Sequence, residues 1–525
     1  MQDSIHPAYD KVTHGRAAPS WITPKTRQES NFGEIERHIR SIAPTRGRDD
    51  EMSGLKGGKD GKPLDIRTRV PHHRNFWTRL QDSLEKHPVS YLTGVVVFCV
   101  VIYIAAIPLP RADGQLIGSD GLYYYSYLPT LLIDHDLDFA NQYAELMGKE
   151  PDAGVETETP ARNSNTRAIG PALLWIPFFL IGHLLAMLLN AAGYSIAMNG
   201  TGYIYQVPTM IGSILYGFAG VLLVYRSCNR FFSRSSSVSA AVLIWLATNL
   251  IYYMIAEPSM SHSCSFFSAA LFLNLWLQYR PLPGLRQWIL LWLAGELVVL
   301  VRTPDATWLA LPVLDALWAA RNDAKRHTEF QWKRLRVSGG AASIVFIPQI
   351  AVWYALRGSG AIYPGFGGGF RWFAPEILNV LFSLRHGLYL WHPVLLFATC
   401  GLGLLYRRER SLSCLLALMF AVQVYLVGAW WGWWGGDSFG NRMLISSFPA
   451  LALGLAALLD WAIEHNAFSV AGILGCSLVA WNALFFVQYR LGYIPKNETI
   501  TFSQLTLGKF TMLLDIANRI RAVIR

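Results

Sequence analysis

From residue 88 onward the chain alternates long apolar runs with short polar breaks. Most of the runs hold roughly 16–24 residues, enough to cross a hydrocarbon core about 30 Å thick at about 1.5 Å of rise per helical residue. The pattern predicts a first span near 90–108 and further spans near 203–225, 237–256, 261–279, 286–301, 303–320, 337–356, 388–405, 412–430, 443–462 and 468–488. The expected fold is therefore an all-α polytopic membrane protein of about eleven transmembrane helices. Two regions depart from the alternation. Residues 1–74 are polar, rich in Gly, Pro, Arg and Asp, and aperiodic, which predicts a disordered tail. Residues 75–87 predict a short amphipathic helix at the membrane surface.

The apolar stretch 168–191 is ambiguous, because it carries Gly170-Pro171, Pro177 and a central His183. Loop charge decides how to read it, since cytoplasmic loops concentrate Lys and Arg. Placed in the outer interface as a juxtamembrane helix, it leaves Arg226, Arg230 and Arg234 inside. Arg280 and Arg286, the basic stretch 321–336, and Arg407, Arg408 and Arg410 then also fall inside. This gives a cytoplasmic tail, a domain over 75–490 with a long first extracytoplasmic loop over 109–202, and a short extracytoplasmic segment over 491–525. The expected location is the plasma (inner) membrane.

Composition agrees with this class. Of 525 residues, 52% are hydrophobic and 15% charged, against about 25% charged in average soluble chains. The 19 Trp and 23 Tyr suit interfacial belts. The net charge of +10 lies mostly in the tail and short loops, where it sets topology, and implies no nucleic-acid partner. The six cysteines (Cys99, Cys228, Cys264, Cys400, Cys414 and Cys476) lie in or beside apolar runs without a CxxC pair, which predicts packed thiols.

The predicted outer loops carry the chemistry. The first holds Ser119-Asp120-Gly121 followed by Leu122 and Tyr123, Tyr124 and Tyr125, then Asp134, Asp136, Asp138, Arg162 and Arg167. Later ones hold Glu257 and His262, Arg302 and Asp305, Arg371, Arg385-His386, and the run from Trp433 and Trp434 through Asp437 to Arg442. Ionisable groups at membrane depth are costly and mark sites. A sugar-transfer site needs a carboxylate to accept a hydroxyl proton, arginines to hold a phosphate, and aromatic platforms. Asp120 is the candidate base. Arg302, Arg371, Arg385 and Arg442 are the candidate phosphate ligands. Tyr124, Glu257, His262, Asp305, His386, Trp434 and Asp437 are candidates for acceptor or sugar binding.

Plainer roles compete. Asp120 can cap the helix that follows it; Asp134, Asp136 and Asp138 read as a metal or diphosphate cluster or as a solvated loop; Arg302 and Asp305 can simply pair. The Trp430–Trp434 cluster is first an aromatic belt. A divalent metal is left open. No GxGxxG, Walker A or HExxH pattern occurs, so an activated sugar reaching the outer face has to be lipid-linked.

With Asp120 just after the first span, the stretch Gly170-Pro171-Ala172-Leu173-Leu174-Trp175, and a following span that closes on Tyr225-Arg226 and Arg230-Phe231-Phe232, the chain resembles the multispanning GT-C glycosyltransferases. That family includes the protein O-mannosyltransferases and the lipid A aminoarabinose transferases. The resemblance covers roughly residues 88–490. It implies transfer of a sugar from a polyprenyl-phosphate donor to a hydroxyl acceptor on a glycan, lipid or protein. It also implies an acidic residue of the first outer loop, here Asp120, at or near the catalytic base. Many members carry two adjacent acidic residues there; here Gly121 follows. The alternative functions are a flippase or transporter for lipid-linked glycans, and an O-antigen polymerase or ligase.

Overall fold

The computed structural model describes residues 76–106, 116–147, 165, 167–280, 284–322, 339, 343–357 and 369–524. The tail at 1–74 and Arg162 lie outside these residues. The regular structure of the described residues is helical, with one isolated antiparallel bridge between Phe370 and Trp430 and no strand.

Among the described residues six helices are long and apolar enough to cross a membrane: Pro88–Ala106, Gly170–Ala191, Tyr203–Cys228, Arg410–Ala429, Arg442–Glu464 and Phe468–Arg490. Five coincide with predicted spans to within a few residues; the sixth, Gly170–Ala191, is the stretch that loop charge placed in the outer interface, and it is itself long and apolar enough to cross. The other predicted spans take shorter or broken forms, for reasons legible in the residues. The run 388–405 is split into Leu388–Trp391 and Val394–Arg408. Proline forces the residue before it out of helical geometry, and His392 accordingly lies at φ −130° and ψ 76°. The run 237–256 is split into Arg234–Leu246 and Leu250–Ile255. The freed carbonyls of Leu246 and Thr248 are both taken by the Asn482 amide at 2.8 Å, so the break leaves no orphaned acceptor at those residues. The run 303–320 begins as a 3-10 turn over Thr303–Leu309, with Pro304 at its start, and becomes regular only at Ala310–Asn322. His262–Tyr279 is a continuous helix, but its Ser263, Ser265, Ser268 and Asn274 are buried and polar.

The stretch expected at the membrane surface forms the helix Phe76–Lys86. Its apolar stripe of Trp77, Leu80 and Leu84 has helical spacing. It borders an apolar groove with Gly472, Gly475 and Val479 of Phe468–Arg490. The C-terminal segment is also helical, over Phe502–Leu505 and Gly508–Ile524. Its Lys509 is fully buried, with Nζ 3.5 Å from the ring centre of Phe485 and 4.4 Å from that of Trp481. None of the six cysteines is paired, and Cys99, Cys228 and Cys264 are buried.

The polar side chains separate into two groups at opposite ends of these helices. At the ends assigned to the inside, Arg280 holds Asp315 through two hydrogen bonds of 2.9 and 3.1 Å and reaches Ser411 at 2.7 Å. Arg408 holds Asp460 at 2.8 Å and also pairs with Glu464, while Ser233 and Ser236 donate to the Asp460 carboxylate at 2.8 and 3.0 Å. Glu85 accepts from the backbone amide of Ser235 at 2.7 Å. These are closed structural networks, with every carboxylate paired. The residues assigned to the outer ends gather elsewhere, and differently.

Candidate functional site: an arginine-lined cleft around Asp120

Asp120 opens the helix Asp120–Pro129. The residue before it, Ser119, sits at φ 55° and ψ −144°, a conformation that costs a non-glycine residue on the order of 1–3 kcal/mol. The helix packs against the turn preceding His262–Tyr279, and the approach is close. A Cβ at Gly121 would lie 2.2 Å from Ser259 Oγ and 2.9 Å from the Ser259 carbonyl carbon. A second acidic residue after Asp120 therefore has no room in this protein. Gly121→Ala is expected to destabilise the fold by about 1–3 kcal/mol, and Ser259→Gly in the same chain to restore part of the loss. Thermal unfolding in detergent measures both.

The helix Gly170–Ala191 begins under a similar constraint. A Cβ on Gly170 would meet the Leu300 carbonyl carbon and oxygen at 2.4 Å. This contact brings the segment ending in Arg167 alongside the end of Leu285–Val301, which delivers Arg302. The amide of Ile169 donates to Gln349 Oε1 at 2.8 Å and fixes the approach. Arg167 is further held by its own backbone, whose amide donates to Asn165 Oδ1 at 3.0 Å and whose carbonyl accepts from Tyr127 Oη at 2.9 Å.

Four segments distant in sequence thus converge on one cleft. Arg167 Nη2 donates to Asp120 Oδ1 at 2.6 Å and Arg442 Nη2 donates to Asp120 Oδ2 at 3.2 Å. Arg442 is also fixed by its Nε, which donates to the Gly435 carbonyl at 3.0 Å. Arg302 is 8% exposed and lines the same cleft, yet among the described residues its guanidinium donates only to Met443, at 3.4 Å to the carbonyl and 3.2 Å to the sulfur. Thioether sulfur is a weak acceptor, so Arg302 is a cation with donors to spare. Three guanidinium groups face one carboxylate. Tyr124, His262, Thr303 and Trp353 complete the walls. Tyr124 Oη accepts from Ser261 Oγ at 3.3 Å. His262 is buried, packs edge-on against Tyr253 at 4.6 Å between ring centres, and has no hydrogen-bond partner at Nδ1.

The capping role does not describe Asp120, since both of its carboxylate oxygens go to arginines. Burial alone pushes its carboxyl upward. Arg442 and Arg167, with Arg302 behind them, outweigh that and hold it below the usual carboxylate range. The group is ionised at any physiological pH and, while so held, a weak base.

Of the four candidate phosphate ligands, the structure brings Arg302 and Arg442 to Asp120. Arg371 is exposed, with its amide bonded to the Ala429 carbonyl at 2.6 Å. Arg385 lies over the Trp434 ring at 4.0 Å and donates to Asn497 Oδ1 at 2.9 Å. Neither lines the cleft. One face of Trp434 is therefore covered by a guanidinium, and its Nε1 is also spent on Asn497, at 2.9 Å.

Among the remaining candidates, Tyr124 and His262 line the cleft. Asp305 lies behind its wall, 1% exposed, with its two oxygens accepting from Ser265 and Ser446 at 2.8 Å each. No ion pair joins it to Arg302. Glu257 accepts from Tyr252 Oη at 3.0 Å outside the cleft, and Asp437 is exposed. His386 is fully buried, with Nδ1 2.7 Å from the Trp434 carbonyl. Burial, ahead of Arg385, lowers its pKa to about 4. It is a neutral packing residue at a turn, where it lies at φ 59°.

Asp134, Asp136 and Asp138 are spent locally. Asp134 accepts from Asn141 at 2.9 Å and from Gln142, Asp136 from the Asp138 amide at 3.1 Å, and Asp138 from the Ala140 amide at 3.0 Å, where the helix Ala140–Met147 begins. Among the described residues no group of three His, Cys, Asp or Glu side chains is placed to hold a metal ion.

Arg167 is the site residue that the candidate list lacked. Its one sequence signal is position, three residues before Gly170-Pro171. The sequence matches no family model and no curated protein.

Proposed function

We propose that this cleft binds the phosphate of a polyprenyl-phosphate sugar and that the protein transfers the sugar, with inversion, to a hydroxyl acceptor on the extracytoplasmic side of the membrane. The observation that carries the reading is the convergence of Arg167, Arg302 and Arg442 on the single carboxylate of Asp120. A surplus of fixed guanidinium groups in a largely buried cleft is what an oxyanion leaving group requires. The cleft holds about 90 Å³, well below the roughly 300–1,000 Å³ of pockets that enclose a whole ligand. It suits a phosphate and the atoms beside it, with sugar and lipid extending outward.

In the reaction the acceptor oxygen attacks the anomeric carbon as the bond from that carbon to the phosphate oxygen breaks. The hydroxyl proton passes to Asp120, and the departing lipid phosphate stays on the arginines. His262 and Tyr124 offer polar contacts to the acceptor hydroxyl. The fold that serves this reading is the eleven-span topology with its tail inside. It places every cleft segment on the outer side and the Arg280 and Arg408 networks on the inner side. No step is assigned to a metal.

The test uses the full chain in lipid nanodiscs with a panel of radiolabelled polyprenyl-phosphate sugars. Protein-dependent release of polyprenyl phosphate with labelled glycoside formed is the expected result. Movement of intact donor between leaflets of proteoliposomes, with no cleavage, overturns it in favour of a flippase.

A further inference from the structure

Asp120 occupies two of the three arginines that a phosphate needs. The cleft is thus closed by an internal anion: Oδ1 on Arg167 at 2.6 Å and Oδ2 on Arg442 at 3.2 Å. Only Arg302, with its weak Met443 contacts, is ready for a ligand. The three guanidinium groups stand on separate elements: the segment before Gly170–Ala191, the junction after Leu285–Val301, and the start of the 3-10 turn Arg442–Ser447.

We infer that Asp120 is a clamp as well as a base: the incoming lipid phosphate lands on Arg302, draws Arg442 and Arg167 off the carboxylate, and so frees Asp120 to take the acceptor proton only once the donor is bound. The inference rests on the proposed donor chemistry and adds an order of events to it. The groups that face the carboxylate are Arg167, Arg302 and Arg442, together with Tyr124 and His262 across the cleft. Losing two cationic partners and gaining an anionic neighbour both favour the protonated carboxyl. In the clamped state the carboxylate holds Arg167 and Arg442 in place. The released state supplies a stronger base at the moment it is needed.

A carboxylate that competes with the ligand for its arginines predicts an unusual result on removal. Asp120→Asn is expected to bind a short prenyl monophosphate such as farnesyl phosphate about three- to tenfold more tightly than the natural chain, because charge-assisted bonds no longer have to be exchanged. If Asp120 merely orders the arginines, the same variant binds equally or more weakly, and the clamp is wrong. If the natural chain itself fails to bind the prenyl phosphate, the phosphate site and the proposed function fall instead.

Should the variant not survive gel filtration, the natural chain decides alone. Calorimetry near pH 5 with a prenyl phosphodiester, whose phosphate stays a monoanion there, in two buffers of different ionisation heat is expected to show proton uptake on binding, and absence of uptake overturns the clamp.

Discussion

Replacing Asp120 by Asn is expected to lower sugar transfer by about 10²–10⁴-fold, the span that a positioned proton acceptor contributes. The amide is nearly isosteric and keeps one oxygen for an arginine, so the backbone at Ser119–Gly121 has no reason to move. What it lacks is the negative charge that receives the hydroxyl proton. The same substitution leaves Arg442, with its side chain 10% exposed, and Arg167, at 26%, without their common counterion. Phosphate in the buffer should therefore stabilise this variant against heat more than it stabilises the natural chain. Rate and thermal stability measured on one preparation separate loss of chemistry from loss of fold.

The second large effect concerns the arginines, and here the structure divides a set that the sequence had left whole. Arg302→Gln should weaken prenyl-phosphate binding by roughly ten- to a hundredfold, taking about 1.5–3 kcal/mol for a hydrogen bond to a charged group and about 1.4 kcal/mol per tenfold. Arg442→Gln should do the same and also lower stability, because its Nε anchors the Gly435 carbonyl at 3.0 Å. Arg371→Gln and Arg385→Gln should leave binding within about twofold, the surface-substitution range. Equilibrium binding across the four variants tests the division. Equal losses in all four would mean that the anion is held by the general basicity of this face and not by the cleft.

How much of this was legible beforehand follows from what each signal measures. Apolar period and length report burial along one element. They located Pro88–Ala106, Tyr203–Cys228 and Phe468–Arg490 to within a few residues. They could not show that the run 388–405 breaks at His392-Pro393, or that Asn482 repairs the break at Leu246–Thr248, because those outcomes depend on a partner from another helix. Asp120, Arg302 and Arg442 stood out as ionisable residues beside apolar runs, and loop charge grouped them at one end. Sequence distance says nothing about which loop residues meet.

Arg385 looked equivalent to Arg302 until Trp434 and Asn497 claimed its guanidinium, and Arg371 until its exposed side chain proved to lie outside the cleft. Arg167 looked ordinary because its role depends on a close helix contact at Gly170, and the departure at Gly121 acquired a reason only when Ser259 was found against it. The alternating aspartates at 134–138 show the reverse case, a pattern suggestive of a ligand that proves to be turn and cap chemistry.

The most direct test of the central claim is a cryo-electron microscopy map of the full chain with a prenyl monophosphate. The account predicts the phosphate within hydrogen-bond reach of Arg302 and Arg442, with Asp120 no longer bridging Arg167 and Arg442. Phosphate density beside Arg371 or Arg385, with the Asp120 ion pairs unchanged, would contradict it.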